Sequence, residues 1–165
     1  MIKKLPKSVK IRKARSKDIS DILKMVAGLA EFEKMSDQFV ATEADYQKTL
    51  FGRKRVAEAL VAEGEEGLIG YAIFFSTFST FNGKAGVWLE DLYVKEEFRR
   101  RGVGKRLLKA LGEVARGRDA GRYEWCVLDW NQNAIDLYEQ VGGEILDEWR
   151  IVRMDRKGIE NLPDK

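Results

Sequence analysis

The sequence predicts an α/β (α+β) fold in which helices flank a mixed central sheet. Some segments repeat apolar residues at helical spacing, others alternate or run continuously as strands do, and the two kinds interleave along the chain. At 165 residues, with 44% hydrophobic and 35% charged residues, the chain has the composition of an ordinary globular protein. We therefore expect a single domain over residues 1–165, with its core at about residues 9–154.

The first third of the chain predicts one strand and two helices. Residues 9–14 alternate apolar and basic side chains and predict a strand, and residues 18–30 place their apolar residues on one helical face. Thr42 and Asp45 are spaced as a capping pair, which predicts a short second helix that ends at about residue 51.

Three strands follow, over residues 56–63, 68–78 and 87–94. The turn at 65–67 separates the first two, and Asn82-Gly83, a dipeptide typical of tight turns, separates the second from the third. Turns this short predict an antiparallel meander.

The second half predicts a helix, a strand, a helix and a strand. A helix begins at Val103 and ends within residues 117–121, residues 123–128 form a short strand, residues 131–141 a helix, and residues 144–154 a last strand. The predicted order is β-α-α-β-β-β-α-β-α-β. If the strands on either side of the Val103 helix are parallel, that helix begins at the carboxyl end of a strand, where ligands bind in such sheets.

A basic, glycine-containing turn precedes Val103 and has the composition of an anion site. A helix start exposes backbone N–H groups at the positive end of the helix dipole, and glycines let a phosphate approach the backbone. Arginine and lysine side chains add charge and donors. An exposed basic helix start is the alternative interpretation. The residues of this turn are Arg99, Arg100, Arg101, Gly102, Val103, Gly104 and Lys105.

Charge and residue counts exclude several classes of function. A net charge of +3 gives no general attraction to nucleic acid or to a membrane, and no stretch resembles a signal sequence or a membrane span, so we expect a cytoplasmic protein. The absence of histidine excludes a Ser-His-Asp triad and the usual histidine-containing metal sites. The single cysteine, Cys126, lies in an apolar segment and is predicted to be a small core residue.

Several motifs, taken in order, resemble the GNAT N-acetyltransferase superfamily. Arg99-x-x-Gly102-x-Gly104 matches the RxxGxG signature of that superfamily, and the order of elements matches its fold. The segments 29–33 and 89–94, Trp130-Asn131, and Tyr138 resemble the spermidine/spermine (diamine) N-acetyltransferase branch. The resemblance spans about residues 11–154.

This resemblance implies a cofactor, a reaction and a set of residues. The cosubstrate would be acetyl-CoA, with no metal, and the acetyl group would pass directly to a primary amine in a ternary complex. Tyr138 would be the general acid that protonates the coenzyme thiolate, and Glu90 would receive the amine proton. The implied cofactor-binding residues are Leu92, Tyr93, Val94, Arg99, Arg100, Arg101, Gly102, Val103, Gly104, Lys105, Asn131, Ala134 and Tyr138.

The acceptor site implied by the resemblance is rich in carboxylates and aromatic rings, which suit a cation. Its residues would be Phe32, Glu33, Glu90, Asp91, Glu124, Trp125 and Glu148, with Trp149 beside them. Lys34 departs from the polyamine enzymes, so the acceptor stays open among a diamine, a polyamine and a thialysine-like compound. A protein lysine or N-terminal acetyltransferase and a noncatalytic acyl-CoA-binding module are the alternatives. The resemblance also implies a homodimer, since enzymes of this branch pair with the last strand contributing to the interface.

Overall fold

The computed structural model describes residues 9–163, which form two compact units. The first unit ends at Leu128 and the second begins at Asp129. Residues 1–8, which bear on the expectation that the chain has no signal sequence, lie outside the described residues. In the described part of the chain, no helix has both the length and the apolar character needed to cross a membrane.

The first unit contains a five-stranded mixed sheet with the strands in sequence order. Four neighbouring pairings follow that order: β1 with β2, β2 with β3 and β3 with β4 are antiparallel, whereas β4 and β5 are parallel. The predicted meander and the parallel pairing around the Val103 helix are therefore confirmed. The strands are β1 (Lys10–Lys13), β2 (Glu58–Gly64), β3 (Gly67–Ser79), β4 (Lys84–Val94) and β5 (Tyr123–Trp125).

Helices cover both faces of this sheet. On β3, Tyr71 packs in the same core cluster as Ile22 and Met25, whereas a Cβ at Gly70 would meet Leu107. Successive strand residues point to opposite faces, so the first and third helices lie on opposite sides of the sheet. The helices of this unit are α1 (Ile19–Phe32), α2 (Glu43–Tyr46), which continues as a π-helix over Gln47–Phe51, and α3 (Val103–Gly117).

Two local features of the first unit follow from its sequence. The predicted pair at the start of α2 is a capping box, in which the Thr42 hydroxyl accepts from the Asp45 N–H at 3.3 Å and the Asp45 carboxylate accepts from the Thr42 N–H at 2.9 Å. Near β1, Arg12 donates to both carboxylate oxygens of Asp18 and, through Nε, to Glu63 at 2.9 Å. Arg12 thereby ties β1 to the start of α1 and to β2, and its hydrogen bonds hold the pKa of the Asp18 carboxyl below its usual range.

Strand β4 contains a β-bulge at Glu90. Ile73 of β3 pairs with Asp91, and the next residue, Phe74, pairs with Leu89, so Glu90 has no partner in the register. A bulge of this kind changes which face the following side chains occupy. It therefore decides the orientation of Asp91 and of every later residue of β4.

The second unit contains α4 (Gln132–Gln140) and α5 (Arg156–Glu160). Gly142 follows α4 with a φ of 90°, a left-handed conformation typical of helix ends. The predicted strand at residues 144–154 is wrong, because this segment is irregular in the single chain. Its apolar residues resemble those of a strand, but a strand also needs a hydrogen-bonding neighbour, and no ladder includes this segment among the described residues.

Candidate active site

The start of α3 has the geometry of an anion-binding site. Gly102 is the N-cap residue with a φ of 78°, and nothing lies within 4 Å of the position that a Cβ would take there. The first intrahelical bond of the helix runs from the Arg106 N–H to the Gly102 carbonyl, at 3.0 Å. The N–H groups of Val103, Gly104 and Lys105 therefore precede that bond, and no side chain caps them. Free N–H groups beside open space fit a phosphate.

An open backbone edge leads from the bulge toward this helix. The parallel pairing of β4 with β5 ends at Leu89, so within residues 9–163 the last five residues of β4 have no strand on that side. Lys95 donates its N–H to the Ile69 carbonyl on β3, and the alternation of an antiparallel ladder therefore directs the polar groups of Leu92 and Val94 to the open edge. An extended amide-containing ligand fits such an edge as an added strand does.

Arg99 lies between that edge and the end of α1. Its Nε donates to the Val94 carbonyl at 2.9 Å, and its guanidinium lies 4.9 Å from the centre of the Phe32 ring and 5.3 Å from that of Tyr93. The arginine that begins the signature thus holds the end of β4 against α1 through one hydrogen bond and two cation–π contacts. Gly28 makes room for this arrangement, because a Cβ there would lie 2.6 Å from the Tyr93 hydroxyl.

The bulge directs two adjacent carboxylates to one face of the sheet. Side chains alternate along a strand, but Glu90 and Asp91 both line a cavity of about 360 Å³ on the α1 side. The Trp88 indole donates to the Glu90 carboxylate at 3.1 Å on this face. The cavity is otherwise largely apolar, and its remaining lining residues are Ala41, Asp45, Tyr46, Thr49, Leu50, Ala57, Ile73 and Phe75.

The two carboxylates differ in environment. Glu90 is exposed, whereas Asp91 is half-buried and accepts a hydrogen bond from the Tyr71 hydroxyl at 3.5 Å. Burial first, and then the negative charges of Glu90 and Glu33, raise the pKa of the Asp91 carboxyl to about 6. The hydrogen bond from Tyr71 acts in the opposite direction. Asp91 is therefore a carboxyl that changes charge close to neutral pH.

Three more titratable side chains lie near Glu90 and Asp91, the two acids that we call the carboxylate cluster. Burial raises the pKa of Glu33, raises that of Tyr46 to about 12 and raises that of Tyr71 well above its usual value, and the charge of Asp91 contributes at both tyrosines. Both phenols are therefore protonated at neutral pH. The sequence predicted Glu33 but missed Tyr46 and Tyr71. A tyrosine within an apolar strand indicates a core position, and only the register across β3 and β4 brings Tyr71 to Asp91.

The other predicted acceptor residues of the first unit lie at different places. Glu124 pairs with Trp88 across the ladder, on the face of the carboxylate cluster, and forms an ion pair with Arg122 at 2.6 Å. Trp125 pairs with Leu89 and therefore lies on the opposite face of the sheet from Glu124. The prediction that Cys126 is a core residue is wrong: β5 ends one residue earlier, and the cysteine is exposed.

The predicted residues of the second unit belong to α4 and the segment after it. Asn131 is the N-cap of α4, and its side-chain oxygen accepts from the Ala134 N–H at 3.4 Å. Tyr138 lies two turns later on the same face, with 8% of its surface exposed. Glu148 is exposed in the irregular segment.

In residues 9–163, no three His, Cys, Asp or Glu side chains are grouped so that they could hold a metal ion.

Comparisons with known proteins agree with this geometry. Residues 26–143 match the sequence profile of the Acetyltransferase (GNAT) family. The chain is 37% identical to thialysine N-epsilon-acetyltransferase of Sus scrofa, over 96% of this chain and 99% of that protein. It is 30% identical to L-ornithine N5-acetyltransferase of Arabidopsis thaliana, over 93% of this chain and 87% of that protein. Its fold resembles the structure of an integron cassette protein from the mobile metagenome of V. cholerae, with a TM-score of 0.79 at 21% identity over 96% of this chain and 99% of that one. The chain belongs to the GNAT acetyltransferase family.

Proposed function

We propose that this protein transfers the acetyl group of acetyl-CoA to a primary amine of a small cationic acceptor. The observation that carries this proposal is the bulge at Glu90, which directs two carboxylates into one cavity at the point where the open edge of β4 begins. A cationic acceptor would lie at the carboxylates, and an acetyl donor would lie along the edge.

The chemistry of the cavity favours a small amine with an aliphatic chain. Glu90 and Asp91 supply negative charge for an ammonium group, while Ile73, Leu50 and Phe75 supply an apolar wall for methylene groups. Such an acceptor would be held by its charge at one end and by its chain along the wall.

The residues of the first unit also fit acetyl-CoA. The amides of Val103, Gly104 and Lys105 would hold the pyrophosphate, with Arg100 and Arg101 adding positive charge. The backbone of Leu92 and the N–H of Val94 would hydrogen-bond the pantetheine arm, since the Val94 carbonyl already accepts from Arg99. Asn131, Ala134 and Tyr138 remain predicted contacts of the same cosubstrate. When it is bound, acetyl-CoA supplies an activated acetyl thioester.

The names of the relatives support the choice of acceptor. The porcine protein is named for acetyl transfer to thialysine and the Arabidopsis protein for acetyl transfer to L-ornithine. Both are small compounds with an amino group at the end of an aliphatic chain, which is the class of ligand that the cavity fits.

Thiol release tests this function. We expect the purified protein, given acetyl-CoA, to release free coenzyme thiol with thialysine, L-ornithine or a short diamine, and mass spectrometry to find the singly acetylated amine. A lysine-containing peptide serves as the comparison, because a protein acetyltransferase would favour it. Thiol release with the peptide but not with any small amine would reject the proposal, and so would release with neither.

We also propose that two copies of this chain form a dimer through the segment at residues 144–154. Within the second unit this segment exposes apolar side chains that a lone chain leaves in water, among them Trp149 at 75% and Val152 at 94%. Light scattering should give the mass of a dimer for the unaltered protein and of a monomer for Val152→Asp. Phe81→Asp, which charges a fully exposed ring in the first unit, should leave the dimer unchanged. A monomeric unaltered protein would contradict the proposal.

A further inference from the structure

The carboxylate cluster contains two acids, and their surroundings give them different tasks. We propose that Asp91, positioned by Tyr71, receives the proton of the acceptor ammonium, while Glu90 supplies negative charge that binds the same group. This assignment rests on the proposed function. It differs from the expectation drawn from the family resemblance, in which Glu90 takes the proton.

The bulge makes the assignment possible. Without the extra residue, Ile73 would pair with Glu90, and Asp91 would point to the α3 side of the sheet. With it, Ile73 pairs with Asp91, and the carboxylate turns to the face that carries Tyr71 and the cavity. The same shift leaves Glu90 at the exposed rim, where it accepts from the Trp88 indole.

Tyr71 is a positioning residue for Asp91. Its ring is fully buried among residues of α1 and lies 6.1 Å from the ring of Tyr93, so its hydroxyl has a fixed place. From there it donates to one carboxylate oxygen of Asp91 at 3.5 Å. The second oxygen of Asp91 is left for an ammonium proton from the cavity.

The groups around Asp91 raise the pKa of its carboxyl toward neutral pH, where a general base works best. Those that face it are Glu90 on the same strand, Glu33 after α1, Tyr46 on α2 and Tyr71 on β3, with Asp45 on the cavity wall. Burial disfavours the negative charge of Asp91 most, and the charges of Glu90 and Glu33 add to this. A carboxyl with a pKa of about 6 is deprotonated at neutral pH and holds a proton more readily than an ordinary aspartate.

The reaction then balances as follows. The ammonium group gives one proton to the Asp91 carboxylate, and the freed nitrogen lone pair forms the bond to the thioester carbonyl carbon. The carbon–sulfur bond breaks, and its electron pair leaves on the sulfur. The second nitrogen proton is lost as the amide forms, and the thiolate gains one proton. Asp91 releases its proton to water, so the products are an N-acetyl amine, a free thiol and one proton.

The experiment measures thiol release from pH 5 to pH 9 with acceptors of different amine pKa. For the unaltered protein we expect the rate to fall below about pH 6, at a pH that does not change with the acceptor. Asp91→Asn should lower kcat about 10²-fold and abolish this acidic limb. Tyr71→Phe should lower kcat a few-fold and move the limb upward, because the hydrogen bond that positions the carboxylate and favours its charged form is lost. Glu90→Gln should move the limb downward, because a neighbouring negative charge is lost.

These outcomes separate the assignment from its alternatives. Opposite shifts in the Tyr71 and Glu90 variants would not arise from a merely structural role. If Asp91→Asn raises KM for the amine but leaves kcat unchanged, or if Glu90→Gln abolishes the limb that Asp91→Asn retains, the assignment is overturned while the proposed function stands. If the unaltered protein acetylates no small amine, the proposed function fails and the assignment fails with it. Thermal melting and acetyl-CoA binding by calorimetry show that each variant is folded.

Discussion

We expect Tyr138→Phe to lower kcat by about 10²- to 10³-fold in a thiol-release assay. The affinity for acetyl-CoA, measured by calorimetry, should stay nearly unchanged. The substitution removes one hydroxyl and keeps the ring. A phenolic hydroxyl carries a proton that it can give to a departing thiolate. Loss of an interaction made only in the transition state lowers kcat without changing binding.

A matched control is available in the first unit. Tyr123→Phe also removes one phenolic hydroxyl, from a strand residue that we assign no part in the reaction, and kcat should stay within a few-fold of its original value. Equal losses in the two variants would indicate a general effect on folding. An unchanged kcat in Tyr138→Phe would remove the general-acid role.

The sequence predicts the framework of the first unit because its signals are local. Turn residues such as Asn82-Gly83 fix the β3–β4 hairpin, apolar spacing marks α1 and α3, and the pair Thr42 and Asp45 starts α2. Each of these features depends on residues only a few positions apart. For the same reason the helix start at Gly102 could be expected as an anion site.

The orientation of the two carboxylates could not be predicted in this way. The pairing counted from the β3–β4 turn holds as far as Leu89 and Phe74 and then shifts by one residue, and no local signal in the sequence marks the shift. Asp91 faces Tyr71 only because of it. The raised pKa of Asp91 also depends on burial and on Glu33, which lies far away in sequence.

The strand predicted at residues 144–154 is wrong although its local sequence pattern is present. Its composition satisfies the local pattern of a strand, yet a strand is defined by hydrogen bonds to a neighbour, and the pattern contains no information about that neighbour. The burial predicted for Cys126 is wrong for a related reason: its neighbours in sequence are apolar, but β5 is too short to include it.

Gly102→Leu should weaken acetyl-CoA binding by about 10²-fold, measured as Kd by calorimetry. Gly102 has a φ of 78°, where a side chain is strained, and the space beside it is open. A leucine side chain would project into that open space, where the pyrophosphate is expected to meet the N–H groups of Val103 and Gly104. Displacing charge-assisted hydrogen bonds from a helix start carries a larger loss than the strain itself.

Gly83→Leu separates strain from ligand contact. Gly83 has a φ of 63° and, like Gly102, nothing within 4 Å of the position of a Cβ, but it lies in the β3–β4 turn. Both variants should therefore lose a similar amount of thermal stability, because both force a side chain into a left-handed conformation. Only the Gly102 variant should lose affinity. If the Gly102 variant binds acetyl-CoA as tightly as the unaltered protein does, the start of α3 does not hold the pyrophosphate. If both lose affinity to the same degree, backbone strain and not contact with the ligand accounts for the loss.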